Sequence, residues 1–274
     1  MHLDDLLDSQ LALPSIPRVI ARVLAELNRD EPDLRKISND INTDPGLAAR
    51  LLRLANSAQF QLTKRIGGVS EALAVLGLDQ VRSLTAAAGM AVAFKKVPGM
   101  DMHYFWRFSL DVAKLSRKLA HEARVNASTA FTAGLVHAAG ELVMHLGMPE
   151  QMDWLNDQAP ALSGHRAGAE HHLLGYCYAD VGAGFASAWE FPEAIVEAIQ
   201  YQIAPFADDV YEPLAGIVHL AVWRTRAREE NLSEAAMAVT FPDEVALTLG
   251  LDIDQVLMRG PFEWTTGQEA ASMA

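Results

Sequence analysis

Residues 44–57, Asp-Pro-Gly-Leu-Ala-Ala-Arg-Leu-Leu-Arg-Leu-Ala-Asn-Ser, carry the clearest helix signal in this sequence. Asp44 is a favoured N-cap residue, and Pro45 fits the first helical turn, where its missing N–H leaves no hydrogen bond unmade. Leucines then recur three and four residues apart, as on the apolar face of a helix. The stretch therefore predicts a helix that begins after Asp44 and buries its leucines.

The rest of the chain repeats this helical pattern. Ser15 and Pro17 form another cap-and-proline start. Gly77 is a suitable helix end, and Asp79 then begins a new helix. The Pro-Gly dipeptide at 98–99 is the clearest break in the first half. Because no alternating apolar and polar run is bounded by hairpin turns, we predict an all-α fold without a sheet. Further helices are expected over 101–124, from 128 through Val143, and over 150–158, 164–174, 178–190, 192–203, 210–230, 233–238 and 252–258.

Composition limits the classes of partner. The chain has 274 residues, half of them hydrophobic, with 22 basic and 35 acidic residues and a net charge of −13. Phosphates would be repelled over most of such a surface, so neither DNA nor an anionic membrane is an expected partner. The single cysteine, Cys177, excludes an internal disulfide and fits a reducing compartment. With no signal peptide and no long apolar span, a cytoplasmic location is expected.

One block of the chain is basic. Residues 47–96 hold seven basic and two acidic residues. Two interpretations stay open, because such a block can face water and the chain's own acidic part, or contact a phosphate group. Arg50 and Arg53 are the best phosphate-facing candidates if a nucleotide binds.

Several stretches together resemble the HDOD (HD-related output domain) family, a non-catalytic branch of the HD phosphohydrolase superfamily. The segment 44–57 is the most specific match, and the resemblance covers about residues 10–225. With the break at Pro98-Gly99, it implies two packed helical subdomains, residues 1–98 and a degenerate HD-like bundle over 99–260. The residues after Gly260 are expected to form a mobile tail over 261–274. The resemblance also implies a role in bacterial signalling. The other matching pieces are Leu13-Pro14-Ser15-Ile16-Pro17, Ile66, Val69, Glu71-Ala72-Leu73, Leu76-Gly77, Phe105-Trp106, Ser109, Ala133-Gly134-Leu135-Val136-His137, Gly182 and Trp189-Glu190-Phe191-Pro192.

The resemblance also indicates which residues stand where HD enzymes bind metal. Those enzymes hold a cation with several His and Asp side chains, and the cation activates a water molecule. The His-Asp pair aligns with His137 and Ala138, and an alanine offers no lone pair. One imidazole cannot hold a catalytic divalent ion without helpers. A vestigial site with no catalytic residue, no metal and no cofactor is therefore expected. The remaining ligand positions align with Phe108, Tyr178, Tyr201 and Gln202.

His137, Glu141 and His145 follow one another at intervals of four residues, which would place them along one face of a single helix. Two neighbours of the three could form half of a metal site. The favoured interpretation is a buried His137 bonded to a backbone carbonyl, with an exposed pair of Glu141 and His145.

Four other features are interpreted as structural. Glu170-His171-His172 is expected on a solvated helix face, and Cys177 in the core. The arginines at 224, 226 and 228 are expected at an exposed helix end. Asn56 is expected to be buried and to tie its helix end to the next loop.

The favoured function is a non-catalytic regulatory module that acts by binding a signalling protein or a small ligand. Two alternatives remain. One is a divergent metal-dependent phosphohydrolase that uses His137 with Glu141 or another acid, and the other is a nucleotide-sensing module that uses the basic block. Candidate ligand or partner contacts are Arg50, Arg53, Asn56, Glu141 and His145.

Overall fold

The computed structural model describes residues 1–9, 12, 14, 17–29, 31–56, 65–206, 212–257 and 262–271. These residues contain helices and no strand, so the all-α prediction is confirmed for them. None of these helices is both long and apolar enough to cross a membrane. The helices are α1 (Leu3–Leu7), α2 (Arg18–Leu27), α3 (Leu34–Asn42), α4 (Pro45–Ala55), α5 (Val69–Ala93), α6 (Met102–Glu122), α7 (Ala127–Val136), α8 (Ala139–Gly147), α9 (Pro149–Gln158), α10 (Arg166–Leu174), α11 (Tyr178–Ala188), α12 (Glu193–Tyr201), α13 (Pro213–Glu229), α14 (Glu234–Thr240), α15 (Asp243–Thr248), α16 (Ile253–Leu257) and α17 (Gly267–Ala271).

Local signals explain several helix starts. The Asp44 carboxylate accepts a hydrogen bond from Leu47 N, and Pro45 opens α4 as predicted. Asp101 caps α6 in the same way through Tyr104 N. Gly77 has a φ of 75° and forms a kink inside α5, at the predicted stop between two helical segments. The cap predicted at Ser15 lies outside the described residues. The sequence signals do not predict α1, α3, α15 or α17.

Two apolar clusters form the core. The smaller is built by α2, α3, α4 and the first part of α5. The larger is built by α6, α7, α8, α11, α12 and α13, with the end of α5 packed against them. Helix α5 thus contributes to both clusters, and the division of the chain at residues 98–99 stays a prediction. Within 262–271, Thr265 N donates to the buried Asp111 and α17 packs on α6.

The helix expected from residue 128 through Val143 is in fact two helices, and that expectation is wrong. Helix α7 ends at Val136 and α8 begins at Ala139, with His137 and Ala138 at the junction. A Cβ at Gly140 would collide with the carbonyl oxygen of Tyr178 and lie 2.6 Å from Gly182 N. The backbones of α8 and α11 therefore approach very closely. The break between α7 and α8 thus coincides with a tertiary contact and not with a local helix-breaking residue.

Candidate functional site

His137 lies at the α7–α8 junction, fully buried in the larger apolar cluster. Its Nδ1 lies 2.8 Å from the carbonyl oxygen of Gly134, so Nδ1 carries the ring proton and donates it. The ring of Phe108 packs beside it, with 5.9 Å between ring centroids. Burial lowers the pKa of His137 to about 3, so the imidazole is neutral. The predicted hydrogen bond of a buried His137 to a backbone carbonyl is confirmed.

The other vestigial positions surround this histidine with neutral groups. Gln202 follows α12, and its Nε2 donates to the carbonyl oxygens of His137 and Ile199 at 2.8 and 2.9 Å. Tyr178 begins α11 and is fully buried. Ala138 is buried at the junction, whereas Tyr201 is half-buried at the end of α12.

The donor set at His137 does not fit a catalytic metal ion. Because Nδ1 carries the proton, Nε2 is the only nitrogen of the His137 ring with a lone pair free for a metal. Among the described residues, a single group of three His, Cys, Asp or Glu side chains has ligand atoms within 4.8 Å of one another, and it consists of His171, Cys177 and Asp180. His137 is not part of it. A divalent transition metal or zinc ion needs three or four such ligands, so the residues around His137 cannot hold one.

Glu141 and His145 are both fully buried, so the expected exposed pair is wrong. Helix α8 is enclosed by its neighbours, and Arg166 Nη2 lies 3.1 Å from Glu141 Oε2. Arg166 Nε lies 2.7 Å from Glu170 Oε1. His145 Nδ1 donates to the carbonyl oxygen of Pro98 at 2.9 Å. We call Glu141, His145, Arg166 and Glu170 the ion cluster.

Arg166 is saturated with partners in the ion cluster. Besides the two carboxylates, its Nη1 donates to Asn156 Oδ1 and to the carbonyl oxygen of Ala159. Glu170 Oε2 accepts a hydrogen bond from Tyr178 N at 2.7 Å, so the cluster also fixes the start of α11. Glu141 is paired with Arg166 in this cluster and lies on α8, whereas His137 follows the end of α7. The half-site of His137 and Glu141 therefore has no support in the geometry.

The ion cluster holds two carboxylates against one guanidinium. Burial and, to a lesser extent, the neighbouring Glu141 raise the pKa of Glu170 to about 8, against the opposing effect of Arg166. Burial also raises the pKa of Glu141. Two carboxylates near one cation in a dry interior favour the retention of one proton at neutral pH. The expected solvated face is thus wrong for Glu170, whereas His171 and His172 are exposed.

A cavity of about 390 Å³ lies between the start of α11, the end of α12 and one side of α13. We call it the Arg226 cavity. Two of its walls are vestigial positions, which places it directly beside His137. Its polar and aromatic lining includes Tyr178, Gln202, His219, Trp223, Arg226 and Glu230.

The arginines of α13 are not at an exposed helix end, and that expectation is wrong. Arg224 Nε donates to the carbonyl oxygen of Leu257, and Arg228 pairs with Asp111 at 3.0 Å. Arg226 Nε donates to the carbonyl oxygen of Leu162 at 2.7 Å, and its Nη2 lies 3.4 Å from the Tyr178 hydroxyl. All three side chains are half-buried because α13 packs against α6 and α12. The sequence signal for Arg226 was its spacing on α13, which does not reveal a cavity.

The candidates in the first half lie elsewhere. Arg50 is half-buried and Arg53 is exposed on α4, and neither lines the Arg226 cavity. Asn56 Nδ2 donates to the carbonyl oxygens of Leu52 and Ile66, and its Oδ1 accepts from Ile66 N. The predicted tie between the end of α4 and the next segment is therefore present, but the side chain is exposed rather than buried.

Cys177 is buried at the N-cap of α11, as predicted. Burial raises the pKa of its thiol to about 12, so the group stays protonated. Asp180 accepts a hydrogen bond from Cys177 N at 2.8 Å. In the group of His171, Cys177 and Asp180, the last two residues therefore cap the start of α11. The protonated thiol is a poor metal ligand at neutral pH.

The HDOD domain family model matches residues 13–205. The match covers more than half of the chain, which therefore belongs to the HDOD domain family. The family resemblance drawn from the segment at 44–57 is confirmed.

Known relatives share the fold over most of the chain. A crystal structure of a "Putative phosphohydrolase" from Shewanella amazonensis SB2B is 28% identical, with a TM-score of 0.76 over 99% of this chain and 96% of that chain. An HDOD domain protein of Geobacter sulfurreducens is 24% identical, with a TM-score of 0.69 over 90% of this chain and 87% of that chain. A curated protein of Treponema pallidum (strain Nichols), named as an uncharacterized protein, is 26% identical over 221 residues. These residues make up 76% of this chain, which spans 41% of that relative.

Proposed function

We propose that this chain is a non-catalytic regulatory module of the HDOD family, which acts by binding a protein or a small ligand. The observation that carries the proposal is the set of side chains at the vestigial metal positions. Phe108, Ala138 and Tyr178 supply no metal ligand there. His137 is neutral, and its ring N–H donates a hydrogen bond to a backbone carbonyl.

Metal-dependent phosphoryl chemistry requires a cation that polarises the phosphate and activates water. The nearest acid in the sequence, Glu141, pairs with Arg166 and lies on the next helix. The relative from Shewanella amazonensis carries a phosphohydrolase name, but this name describes that protein. Binding without hydrolysis is the function that the side chains of this chain support best.

The test is the metal content of protein purified without chelator or affinity tag, measured by plasma mass spectrometry. We expect less than about 0.1 equivalents of iron, manganese or zinc, because structural and catalytic metal sites bind close to stoichiometrically. Hydrolysis of p-nitrophenyl phosphate and of its bis ester, with added Mn²⁺, should stay at the buffer rate.

A result near one equivalent would overturn the proposal if His137→Ala then removed the metal. Cys177→Ser is the matched control, because it disables the other group of potential ligands, His171, Cys177 and Asp180. Metal that is lost in Cys177→Ser but retained in His137→Ala would leave the non-catalytic proposal standing.

A further inference from the structure

The Arg226 cavity has the size and lining of a small-molecule site. Its volume of about 390 Å³ lies within the range of about 300–1,000 Å³ that ligand pockets occupy. The indole of Trp223 forms one wall, and its Nε1 is oriented by Thr240 Oγ1 at 3.3 Å. An aromatic wall combined with a few fixed polar groups is the usual arrangement of such sites.

The cavity contains a cation without a carboxylate partner among the described residues. Two neighbouring arginines have carboxylate partners, Arg107 with Glu229 and Arg228 with Asp111. Arg226 instead donates to one backbone carbonyl and lies near one hydroxyl, which leaves several of its five N–H groups for a ligand. A carboxylate or phosphate group binds such a guanidinium through two of its oxygens, which accept two parallel hydrogen bonds.

The same cavity also presents acceptors. Gln202 is 2% exposed, and its amide orientation is fixed because Nε2 faces two carbonyl oxygens. Its Oε1 is consequently left as a buried acceptor with no hydrogen-bond partner in the part of the chain that the structure describes. His219 Nδ1 donates to the backbone oxygen of Gln202 at 2.8 Å, so the Nε2 of this histidine is a second acceptor. A buried, unpaired acceptor such as Gln202 Oε1 favours a ligand that brings its own hydrogen-bond donor.

The exposed Glu230 lines the same cavity and limits the ligand's charge. It lies one turn beyond Arg226 on α13, so a second anionic group extending past Arg226 would be repelled. This disfavours polyanions and favours one compact anionic group.

We propose that the Arg226 cavity binds a small organic anion that carries a hydroxyl or amino group beside its anionic group. Arg226 holds the anion, and Gln202 and His219 accept hydrogen bonds from the neighbouring donor. Trp223 packs against the carbon skeleton. The inference rests on the proposed function, because it names the ligand class through which this non-catalytic module would act.

The test uses the full chain and two arms of probes, since carboxylates and phosphate monoesters share this chemistry. Glycolate and L-lactate form the carboxylate arm, and ribose 5-phosphate and AMP form the phosphate arm. Acetate and inorganic phosphate lack the neighbouring donor, and ribose lacks the anion. Binding is measured by calorimetric titration and by the ligand-dependent rise in melting temperature.

We expect at least one complete probe to bind more tightly than the matched partial probes. Arg226→Met should weaken its binding at least about tenfold, because the bidentate contact is lost. Gln202→Glu, which adds a negative charge beside the anion, should weaken it as well and serves as an independent variant if Arg226→Met folds poorly. Arg22→Met, at a surface ion pair, is the matched control and should bind as the wild type does.

The inference is overturned if no probe in either arm binds, or if the bound probe keeps its affinity in both Arg226→Met and Gln202→Glu. If the protein is at the same time free of metal and does not hydrolyse the phosphate esters, either result would leave the proposed non-catalytic function standing. Stoichiometric metal removed by His137→Ala would overturn that function independently of any anion.

Discussion

Arg166 and Arg226 both turn inward in the same helical bundle, but their surroundings differ. Arg166 is fully buried and contacts two carboxylates, a side-chain amide oxygen and a backbone carbonyl. Arg226 is half-buried beside a cavity, with one backbone carbonyl and one distant hydroxyl as its partners. Within the described residues, the first guanidinium has an ion-pair partner and the second has none.

The difference separates a structural charge from a charge available to a ligand. A fully buried ion is tolerated when neighbouring groups compensate the loss of water. Arg166 meets that condition and holds α8, α10 and the start of α11 together. Arg226 can still exchange water for a ligand oxygen, because the cavity leaves room beside its unused donors. The first site should therefore respond to mutation mainly in stability, and the second mainly in binding.

The largest effect is expected from Arg166→Met. The change leaves Glu141 and Glu170 buried without their cation, which should lower the free energy of unfolding by about 3–5 kcal/mol. Urea unfolding at pH 7, followed by circular dichroism, measures this. Arg22→Met should cost less than about 1 kcal/mol, because the pair with Asp40 is exposed to water. Equal effects of the two changes would contradict the role given to the ion cluster.

Gly140→Ala tests the close approach of α8 and α11. This contact lies at the start of α8, between His137 and the residues that α8 contributes to the ion cluster. The new Cβ would meet backbone atoms of Tyr178 and Gly182, which cannot rotate away. We expect a loss of about 3 kcal/mol in unfolding free energy, at the upper end of overpacking effects. In Gly168→Ala the added Cβ meets nothing within 4 Å. This control should be neutral or stabilising by up to about 1 kcal/mol, since alanine favours the helix.

The pH dependence of stability tests the proton held in the ion cluster. Glu170 has a pKa of about 8 in the folded chain against an ordinary value of 4.5, so the folded state keeps a proton that the unfolded chain has lost. The stability that this retained proton contributes is therefore lost as the pH rises from 4.5 through 8. Glu170→Gln should remove this loss of stability. Melting curves measured at about pH 5, 6, 7 and 8 would show the difference. Parallel melting profiles of the two proteins above pH 6.5 would refute the retained proton.

Both proteins in that comparison should lose stability in acid. Burial lowers the pKa of His145 to about 4 and that of His137 to about 3. The stability linked to these neutral imidazoles is present above pH 6.5 and is lost as the pH falls toward 4. Below pH 4.5, where Glu170 is protonated in both the folded and the unfolded chain, the two melting profiles should therefore run parallel.

The smallest stability effect is expected from Arg226→Met. The change removes one hydrogen bond to the backbone of Leu162 and a long contact with Tyr178, so it should cost about 1 kcal/mol. The urea unfolding curve compared with that of Arg166→Met measures the contrast directly. A loss as large as that of Arg166→Met would show that Arg226 is a structural charge too, and the comparison of the two arginines would fail.

Signals within a few residues of each other predicted the helices well. Asp44 with Pro45 set the start of α4, and Gly77 set the kink in α5. Both act through their own backbone geometry and need no distant partner. The tie made by Asn56 could be predicted for the same reason, because an amide near a helix end bonds to the adjacent backbone.

The candidate site could be predicted only in part. The matched segments located His137 and the neutral side chains at the vestigial positions. The cavity was not predicted, because its walls come from α11, α12 and α13, and Tyr178 precedes Arg226 by 48 residues. The break at His137 was also missed, since it accompanies the contact of Gly140 with a helix about forty residues later.

The sequence by itself determined the helical class, several helix starts, the family and the replacement of metal ligands at Phe108, Ala138 and Tyr178. The tertiary structure alone decided which charged residues are buried and which of them are paired. Local patterns assign charged side chains to water, because an isolated charge is costly to bury. Glu141, Glu170 and Arg166 reverse that expectation together, since each compensates another across the packed helices.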